Sequence, residues 1–421
     1  MSRPRAHLVV TGSELVRGER TDLNGPFLAR QALALGFEPA RISIVGDRPD
    51  ELAAALAEGV RADLCLVSGG LGPTHDDRTL ELLCRAAGVE LMHDPELEAR
   101  IEGISRGYAE RTGRPYAVYA PGVRKQALVP AGGFAVGLAG TAPGILLPLP
   151  GDRAAIALPG PPNELKALWP KAIAHPAFAP LLRRAEVPGR RVLRFYGVGE
   201  SLVASTFADA GGDGDGVEVT ICARDFEIHV DLVVEPGEQA RARADRIEQA
   251  LLAAHSEQLF SRDERPIEEL VLELCRARGL TLGAAESCTG GLVGGRLTSV
   301  PGSSDVFLGG IVAYANTVKA AVLGVPAETL AAHGAVSAET AAAMAQGARR
   351  VLGVDVAVSV TGVAGPGGGS DDRPVGLVHF NAVGPGGALA QSWVVPTDRE
   401  TIRRRAGATA LHLVLQLLSG V

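Results

Sequence analysis

Hydroxyls, one amine and runs of glycine gather in four short segments of the last third of the chain. They are Ala285-Glu286-Ser287-Cys288-Thr289-Gly290-Gly291, Pro301-Gly302-Ser303-Ser304, Tyr314-Ala315-Asn316-Thr317-Val318-Lys319, and Thr361-Gly362-Val363-Ala364-Gly365-Pro366-Gly367-Gly368-Gly369. Acyl transfer from an amide or ester needs a nucleophile, a group to take its proton, and fixed donors where negative charge develops on the carbonyl oxygen. These segments carry all three kinds of group, so they read as a serine–lysine hydrolase. Lys319 is the pivotal residue. Of 41 basic residues only four are lysine, the others being Lys125, Lys166 and Lys171. Arginine stays protonated, whereas a desolvated lysine becomes neutral and accepts a proton. A lysine is ordinarily found on a solvated face, but the serines and glycines around Lys319 favour the chemical role for this one.

The nucleophile is left open among several groups. Ser287, Cys288 and Thr289 lie together, and intrinsic reactivity favours the thiol. Cys288, however, has no activating histidine in its stretch, and a cysteine between small residues is commonly inert packing. The glycines offer a phosphate subsite, because close approach to backbone amides requires the absence of Cβ. Gly290 and Gly291 at a helix start, and Gly362, Gly365 and Gly367 in the glycine-rich loop, are the candidates.

A second chemical cluster lies in the first third. Gly69, Gly70, Gly72 and Thr74 belong to Gly69-Gly70-Leu71-Gly72-Pro73-Thr74-His75-Asp76-Asp77, which can turn several amides onto an anion. Asp76 and Asp77 follow at once and suit a divalent cation that neutralises phosphate oxygens, although aspartates at a helix start also serve as caps. Asp22 and Asp47 could complete such a site, and Lys125 could meet phosphate as a point charge.

These groups need a scaffold that holds loops at strand ends. Over residues 1–172, short apolar runs at 8–10, 42–45 and 64–67 alternate with helical patterns at about 24–35 and 50–60, which predicts a βαβαβ series and a parallel sheet covered on both faces. In such sheets ligands bind beyond the carboxyl ends of the strands. Residues 173–260 read as a small α+β module. Its Gly211-Gly212-Asp213-Gly214-Asp215-Gly216 stretch superficially suggests a calcium loop, but Thr220 stands where an EF-hand needs glutamate, so a hairpin connection is expected. Residues 262–421 predict a second α/β domain with strands near 281–285, 306–313 and 356–360, a helix at about 338–352, two further strands and a final helix after Asp398.

Composition narrows the class. Hydrophobic residues make up 46% and charged residues 21%, the balance of a globular enzyme, and no run reaches the ~18 apolar residues of a membrane span. The amino terminus lacks the pattern of a signal peptide, and the five cysteines lack metal-ligand spacing. A cytoplasmic protein with reduced thiols and no zinc site is expected. A net charge of −7 and only 4% aromatic residues argue against a nucleic-acid partner. Arg403-Arg404-Arg405 reads as a solvated face or as a contact for a small phosphate.

The motifs taken in order resemble the CinA family. Thr11-Gly12-Ser13-Glu14-Leu15, the 69–77 segment, Lys125-Gln126-Ala127, Gly140-Thr141-Ala142-Pro143-Gly144 and Leu158-Pro159-Gly160-Pro161-Pro162-Asn163-Glu164 carry the resemblance in the first domain. The Glu286 to Gly291 segment and its three companions carry it in the last.

The resemblance implies two α/β domains joined by a small α+β KH-like module. The first would be a molybdopterin-binding-like domain that cleaves ADP-ribose with a divalent metal on Asp76 and Asp77. The last would be a nicotinamide mononucleotide deamidase that needs no cofactor. By the same resemblance the nucleophile falls on Ser304 with Lys319 as its base, Glu286, Tyr314 and Thr361 position the carboxamide or tune Lys319, and Arg399 meets phosphate. Partners are then small nucleotides, with no membrane or nucleic acid. A dimer is expected, and the alanine-rich 341–348 stretch permits a subunit interface. Gly137 departs from the family, which usually has asparagine three residues before Gly140, and this bears on the first pocket. Two other classes remain: a nucleotide-sensing regulator without turnover, and a molybdopterin-binding accessory protein.

Overall fold

A computed structural model describes residues 3–420, and the chain divides between Gly189 and Arg190 into two compact units. The first unit contains β1 (Arg5–Thr11), β2 (Glu38–Val45), β3 (Leu64–Ser68), β4 (Leu91–His93), β5 (Leu128–Pro130), β6 (Phe134–Leu138), β7 (Pro143–Leu149) and β8 (Arg153–Leu158). Six of them form a sheet in the order β2-β1-β3-β8-β7-β6, while β4 and β5 make a separate antiparallel pair. β2, β1, β3 and β8 run parallel, and β7 and β6 complete the sheet antiparallel.

The central strand explains why its sequence has no polar alternation. Leu64 and Leu66 join a core with Leu28, Phe37 and Trp169, whereas Cys65 and Val67 join another with Leu56, Leu82 and Ile101. Side chains alternate between faces and both faces are covered, so every position is apolar. The crossover helices Asn24–Ala34 and Pro49–Gly59 fall where the hydrophobic pattern predicts them. Phe178 and Leu181 pack into the same core, so this fold continues past residue 172.

In the second unit, β9 (Gly189–Phe195), β10 (Val217–Arg224), β11 (Glu227–Val234) and β12 (Leu259–Ser261) form a sheet in the order β10-β11-β9-β12, packed with the helices Glu200–Asp209 and Glu238–His255. The glycine–aspartate stretch closes on an arginine: Arg243 donates to the carbonyls of Gly211, Gly212 and Asp213 and pairs with Asp215 at 2.9 Å. The oxygens that a cation would seek therefore face a guanidinium.

The rest of this unit is a sheet of β13 (Leu282–Glu286), β14 (Phe307–Val312), β15 (Val356–Gly362), β16 (Leu377–Gly384) and β17 (Gly387–Val394) in the order β14-β13-β15-β16-β17. The first three strands in that order run parallel and the last two antiparallel. One face carries the helix Ala338–Leu352, whose Ala341, Ala345 and Ala348 are buried against the domain's own strands. The other carries the 21-residue helix Arg399–Ser419, capped by the Asp398 side chain on the Thr401 N–H. Among the described residues no helix is long and apolar enough to cross a membrane.

A buried polar cluster joins β11 to that last helix. Glu227 accepts from His412 at 2.8 Å and lies 3.2 Å from His229, and Tyr196 stacks on His412 with ring centroids 3.8 Å apart. Burial works to raise the Glu227 carboxyl, but the hydrogen bonds from His229 and His412 outweigh it and hold the group at about 2. Burial also lowers His412 from its ordinary 6.5. Both folded values lie below the unfolded ones, so the unfolded chain takes up more protons as pH falls and the stabilisation is lost toward acid. The Tm difference between wild type and Glu227→Gln should be present above pH 4.5 and should narrow toward pH 2. A gap that stays constant over that window would mean Glu227 is not held ionised by this cluster.

Candidate active site

The carboxyl end of β13 leads directly into the reactive segment. Ser287 donates its N–H to Val360 O at 2.9 Å, which holds the turn against β15. Glu286, almost wholly buried, then folds its carboxylate over the start of the helix Leu292–Thr298, accepting from the N–H groups of Gly291 (2.9 Å), Val293 (3.1 Å) and Gly294 (2.9 Å). A carboxylate at a helix N-terminus satisfies orphan donors and the helix dipole together. Its position is therefore structural, and it does not reach Lys319. The Gly290 N–H is also engaged, with Ser287 O at 3.1 Å. The expectation that the Gly290 and Gly291 amides hold a phosphate is overturned, because both already have acceptors and a carboxylate sits in front of one of them.

Lys319 reaches the same point from the next strand. β14 ends at Val312, and the short helix Asn316–Ala321 turns the side chain inward, leaving it 1% exposed. Nζ lies 3.0 Å from Ser287 Oγ, 2.8 Å from Ala313 O and 3.1 Å from Tyr314 O. Burial lowers its pKa, and among the described residues no carboxylate pairs with it. A neutral amine in this position donates two protons to the carbonyls and turns its lone pair to the Ser287 hydroxyl. Burial pushes the neighbouring Cys288 thiol up to about 12, which keeps it protonated and disfavours it as a nucleophile.

Ser304 lies elsewhere. β13 and β14 are parallel with Leu282 opposite Phe307 and Glu286 opposite Val312. Ser304 precedes Phe307, at the amino ends of the strands, whereas Ser287 and Lys319 follow the carboxyl ends. The five-residue rise of β14 separates the two ends by roughly 17 Å. Ser304 is exposed beside the Arg276–Asp305 ion pair, so the Ser304–Lys319 dyad is overturned.

The remaining groups surround Ser287 to different degrees. Arg399 donates to Gly365 O at 2.7 Å and to the Tyr314 hydroxyl at 3.3 Å, tying the glycine-rich loop to the tyrosine. Tyr314 is largely exposed, and Gly367 has open space beside it. Gly362 lies within the β15–β16 ladder, where a Cβ would come 2.7 Å from Leu377 O, so its role is close strand packing. The Thr361 hydroxyl donates to Ala335 O at 2.7 Å. Thr289 is fully buried and its hydroxyl has no partner among the described residues. Arg403, which the sequence reading left as a solvated face or a small-phosphate contact, donates to Cys288 O (3.0 Å) and Thr289 O (2.8 Å) and so clamps the reactive turn. Its spacing four residues after Arg399 on one helix was the available signal.

In the first unit, Gly69 and Gly70 adopt positive φ, and a Cβ on Gly70 would come 2.1 Å from Thr79 Oγ1, so the turn after β3 demands glycine. A Cβ on Gly72 would strike the Asp77 carboxylate. Thr74 ties the acidic pair together, its hydroxyl donating to Asp76 and, at 2.5 Å, to Asp77, while Lys125 donates to Thr74 O. The Thr74 hydroxyl holds the Asp76 carboxyl below its usual range. Gly70, Gly72, Asp77, Lys125 and Gln126 line a cavity of about 210 Å³. Two carboxylates that meet on one hydroxyl, beside a lysine and a glycine turn, fit a hard divalent cation that takes its other ligands from phosphate and water.

Asp22 and Asp47 do not join them. Asp22 caps the Asn24 and Gly25 N–H groups and lines a different cavity, and Asp47 accepts from Thr11 and Ser13. Among the described residues no group of three or more histidine, cysteine or acidic side chains is arranged to hold a metal ion by itself. Gly137 lies opposite Gly144 on the neighbouring strand, one residue from Pro143, which lines this cavity. Its φ is +145°, and a Cβ there would face Lys171 and Leu168 on the helix Pro162–Ile173.

Residues 7–183 match the probable molybdopterin binding domain family, and residues 264–418 match the CinA C-terminal domain. A CinA-like protein of Mycolicibacterium paratuberculosis is 42% identical over 99% of this chain and 98% of its own length, and one of Mycobacterium tuberculosis is 40% identical over 99% and 98%. The solved competence/damage inducible protein CihA of Agrobacterium tumefaciens is 43% identical over 38% of this chain and 99% of its own, with a TM-score of 0.35. With full-length identity at this level and both domain families matched in order, the chain belongs to the CinA family.

Proposed function

We propose that the C-terminal domain hydrolyses the carboxamide of nicotinamide mononucleotide, with Ser287 as nucleophile and Lys319 as base. The carrying observation is the buried Lys319 amine at 3.0 Å from Ser287 Oγ, with backbone carbonyls holding its other protons. Lys319 Nζ takes the hydroxyl proton as Ser287 Oγ bonds to the carboxamide carbon. The Thr289 N–H donates to no backbone acceptor among the described residues, which leaves it for the developing oxyanion. Collapse of the tetrahedral species breaks the C–N bond, and the Lys319 ammonium returns its proton to the departing ammonia. Water then cleaves the acyl-serine by the same proton route, giving nicotinate mononucleotide. Arg399, on Tyr314 and the Gly365 carbonyl, stands at the entrance to meet the substrate's phosphate. Ammonia release from nicotinamide mononucleotide by purified protein tests this reading, and its absence with folded protein would favour the nucleotide-sensing alternative.

For the N-terminal domain the reading is ADP-ribose cleavage. A divalent cation on Asp76 and Asp77 would neutralise pyrophosphate oxygens there. Lys125 adds a positive charge to the same cavity, and the Gly69 to Gly72 turn gives the backbone close access. Excess chelator should stop ADP-ribose hydrolysis and leave ammonia release unchanged, and Asp77→Asn should reproduce that split, with losses of order 10²-fold or more in the first activity. Loss of both activities in protein that stays folded by circular dichroism would place a metal requirement in the amidase and defeat the assignment.

A further inference from the structure

A cavity of about 670 Å³ in the second unit lies beside the amidase turn, and neither Ser287 nor Lys319 lines it. Its walls are the tip of the β10–β11 hairpin and the three helices Ile267–Ala277, Leu292–Thr298 and Arg399–Ser419. Four guanidinium groups line it, from Arg296, Arg399, Arg403 and Arg404. Three carboxylates face them, from Asp225, Glu268 and Glu400, leaving a net charge of +1 (four minus three). Each arginine is held in place by a partner, Arg296 by Glu268 at 2.8 Å and Arg404 by Asp225 at 3.1 Å, while Arg399 and Arg403 are fixed by the amidase loops. A guanidinium has five N–H donors, so these anchored groups keep donors for a ligand. The Arg399–Ser419 helix N-terminus is itself capped by Asp398 and is not what recommends the site.

The hairpin tip adds an aromatic wall at a backbone cost. Asp225 and Phe226 have φ of +50° and +70°, the two-residue turn that ordinarily selects Asn-Gly. A bulky side chain in the left-handed region is strained, because its Cβ crowds the following carbonyl oxygen. Here the strained residue places a phenyl ring on the wall of a cationic cavity, 5.8 Å from the Arg405 guanidinium and in the company of Leu292. Apolar surface, convergent arginines and carboxylates able to accept from hydroxyls describe the chemistry of a nucleotide: base, phosphate and ribose. The volume is within the range of small-molecule sites.

We propose that this cavity is a second ligand site that takes a nucleoside monophosphate and is coupled to the amidase through two arginines. Arg403 touches both the cavity and the carbonyls of Cys288 and Thr289, and Arg399 touches both the cavity and the Tyr314 hydroxyl. A phosphate drawn to those guanidiniums competes with the carbonyls and hydroxyl they now hold, and so shifts the turn that carries Ser287. Occupancy of the cavity stands apart from the amidase reading, whereas the coupling rests on it, so binding and turnover are measured separately.

The test uses the full chain and adenosine 5′-monophosphate as probe. Calorimetric titration of wild type should show a binding event that weakens at least about tenfold in Arg404→Ala and in Phe226→Gly, as loss of one charge-assisted contact or one stacking ring requires. Glycine suits the positive φ of residue 226, so that variant removes the ring without straining the turn. Adenosine 5′-monophosphate should also change the KM for nicotinamide mononucleotide to a plateau in wild type and not in the two variants. Identical titrations in all three proteins would overturn the site even if no ammonia is released. Intact binding with an unchanged KM would overturn the coupling. A KM that rises without limit would place the probe in the catalytic pocket and overturn the second site.

Discussion

Ser287→Ala should abolish ammonia release, with kcat down by about 10³-fold or more, because it removes the hydroxyl that lies 3.0 Å from Lys319 Nζ. Ser304→Ala should stay within about twofold of wild type, the range of an ordinary surface substitution. The contrast follows from strand direction. Lys319 and Ser287 lie past the carboxyl ends of two neighbouring parallel strands, and Ser304 precedes the amino end of one of them. Both variants should keep wild-type circular dichroism and thermal midpoints, since neither side chain fills core volume. A large loss in Ser304→Ala with full activity in Ser287→Ala would overturn the dyad. Loss in neither would move the chemistry to Thr289, whose buried hydroxyl has no partner among the described residues.

Much of the scaffold was legible in the sequence because the relevant physics is local or periodic. The uninterrupted apolar run Leu64-Cys65-Leu66-Val67 could only be a strand covered on both faces, and helices of the expected length flank it. Asp398 before the last helical pattern announced its cap. The rarity of lysine singled out Lys319, and its burial among small residues bears out that it is no solvated surface charge.

What the sequence left obscure was pairing across distance. Ser304 stands nearer to Lys319 in the chain than Ser287, which is 32 residues away, and only the parallel register decides which of them shares an end of the sheet with it. Glu286 reads from the sequence as a group that positions the carboxamide or tunes Lys319. Its three N–H contacts depend on how the chain reverses through Gly290 and Gly291, a turn that consumes the very amides set aside for phosphate. The Arg403 clamp on the reactive turn and the Glu227–His412 pair were invisible for the same reason, with partners 115 and 185 residues away. At Gly137 the missing amide was legible, but the φ of +145° under the Lys171 side chain, which disfavours a side chain there, was not.

Lys319→Arg should be nearly as damaging as Lys319→Ala, with turnover reduced by about 10²- to 10⁴-fold in each, the usual contribution of a general base. Arginine keeps the positive charge and would keep any purely electrostatic contact with a substrate anion, but it does not give up its proton in a protein and so cannot accept one from Ser287. Its planar guanidinium would also have to fit a pocket shaped for one nitrogen, bounded by Ala313 O, Tyr314 O and Ser287 Oγ. The pH dependence separates the roles further. Burial holds the Lys319 pKa below the ordinary 10.5 of lysine, and the reactive form is the neutral amine, so kcat/KM of wild type should rise with pH through that lowered pKa. The residual activity of Lys319→Ala should lack this rising limb, while added small primary amines should restore part of the rate in that variant and none in Lys319→Arg. Retention of more than about a tenth of wild-type activity by Lys319→Arg, less than a general base contributes, would make Lys319 a charge contact and leave Ser287 without its base.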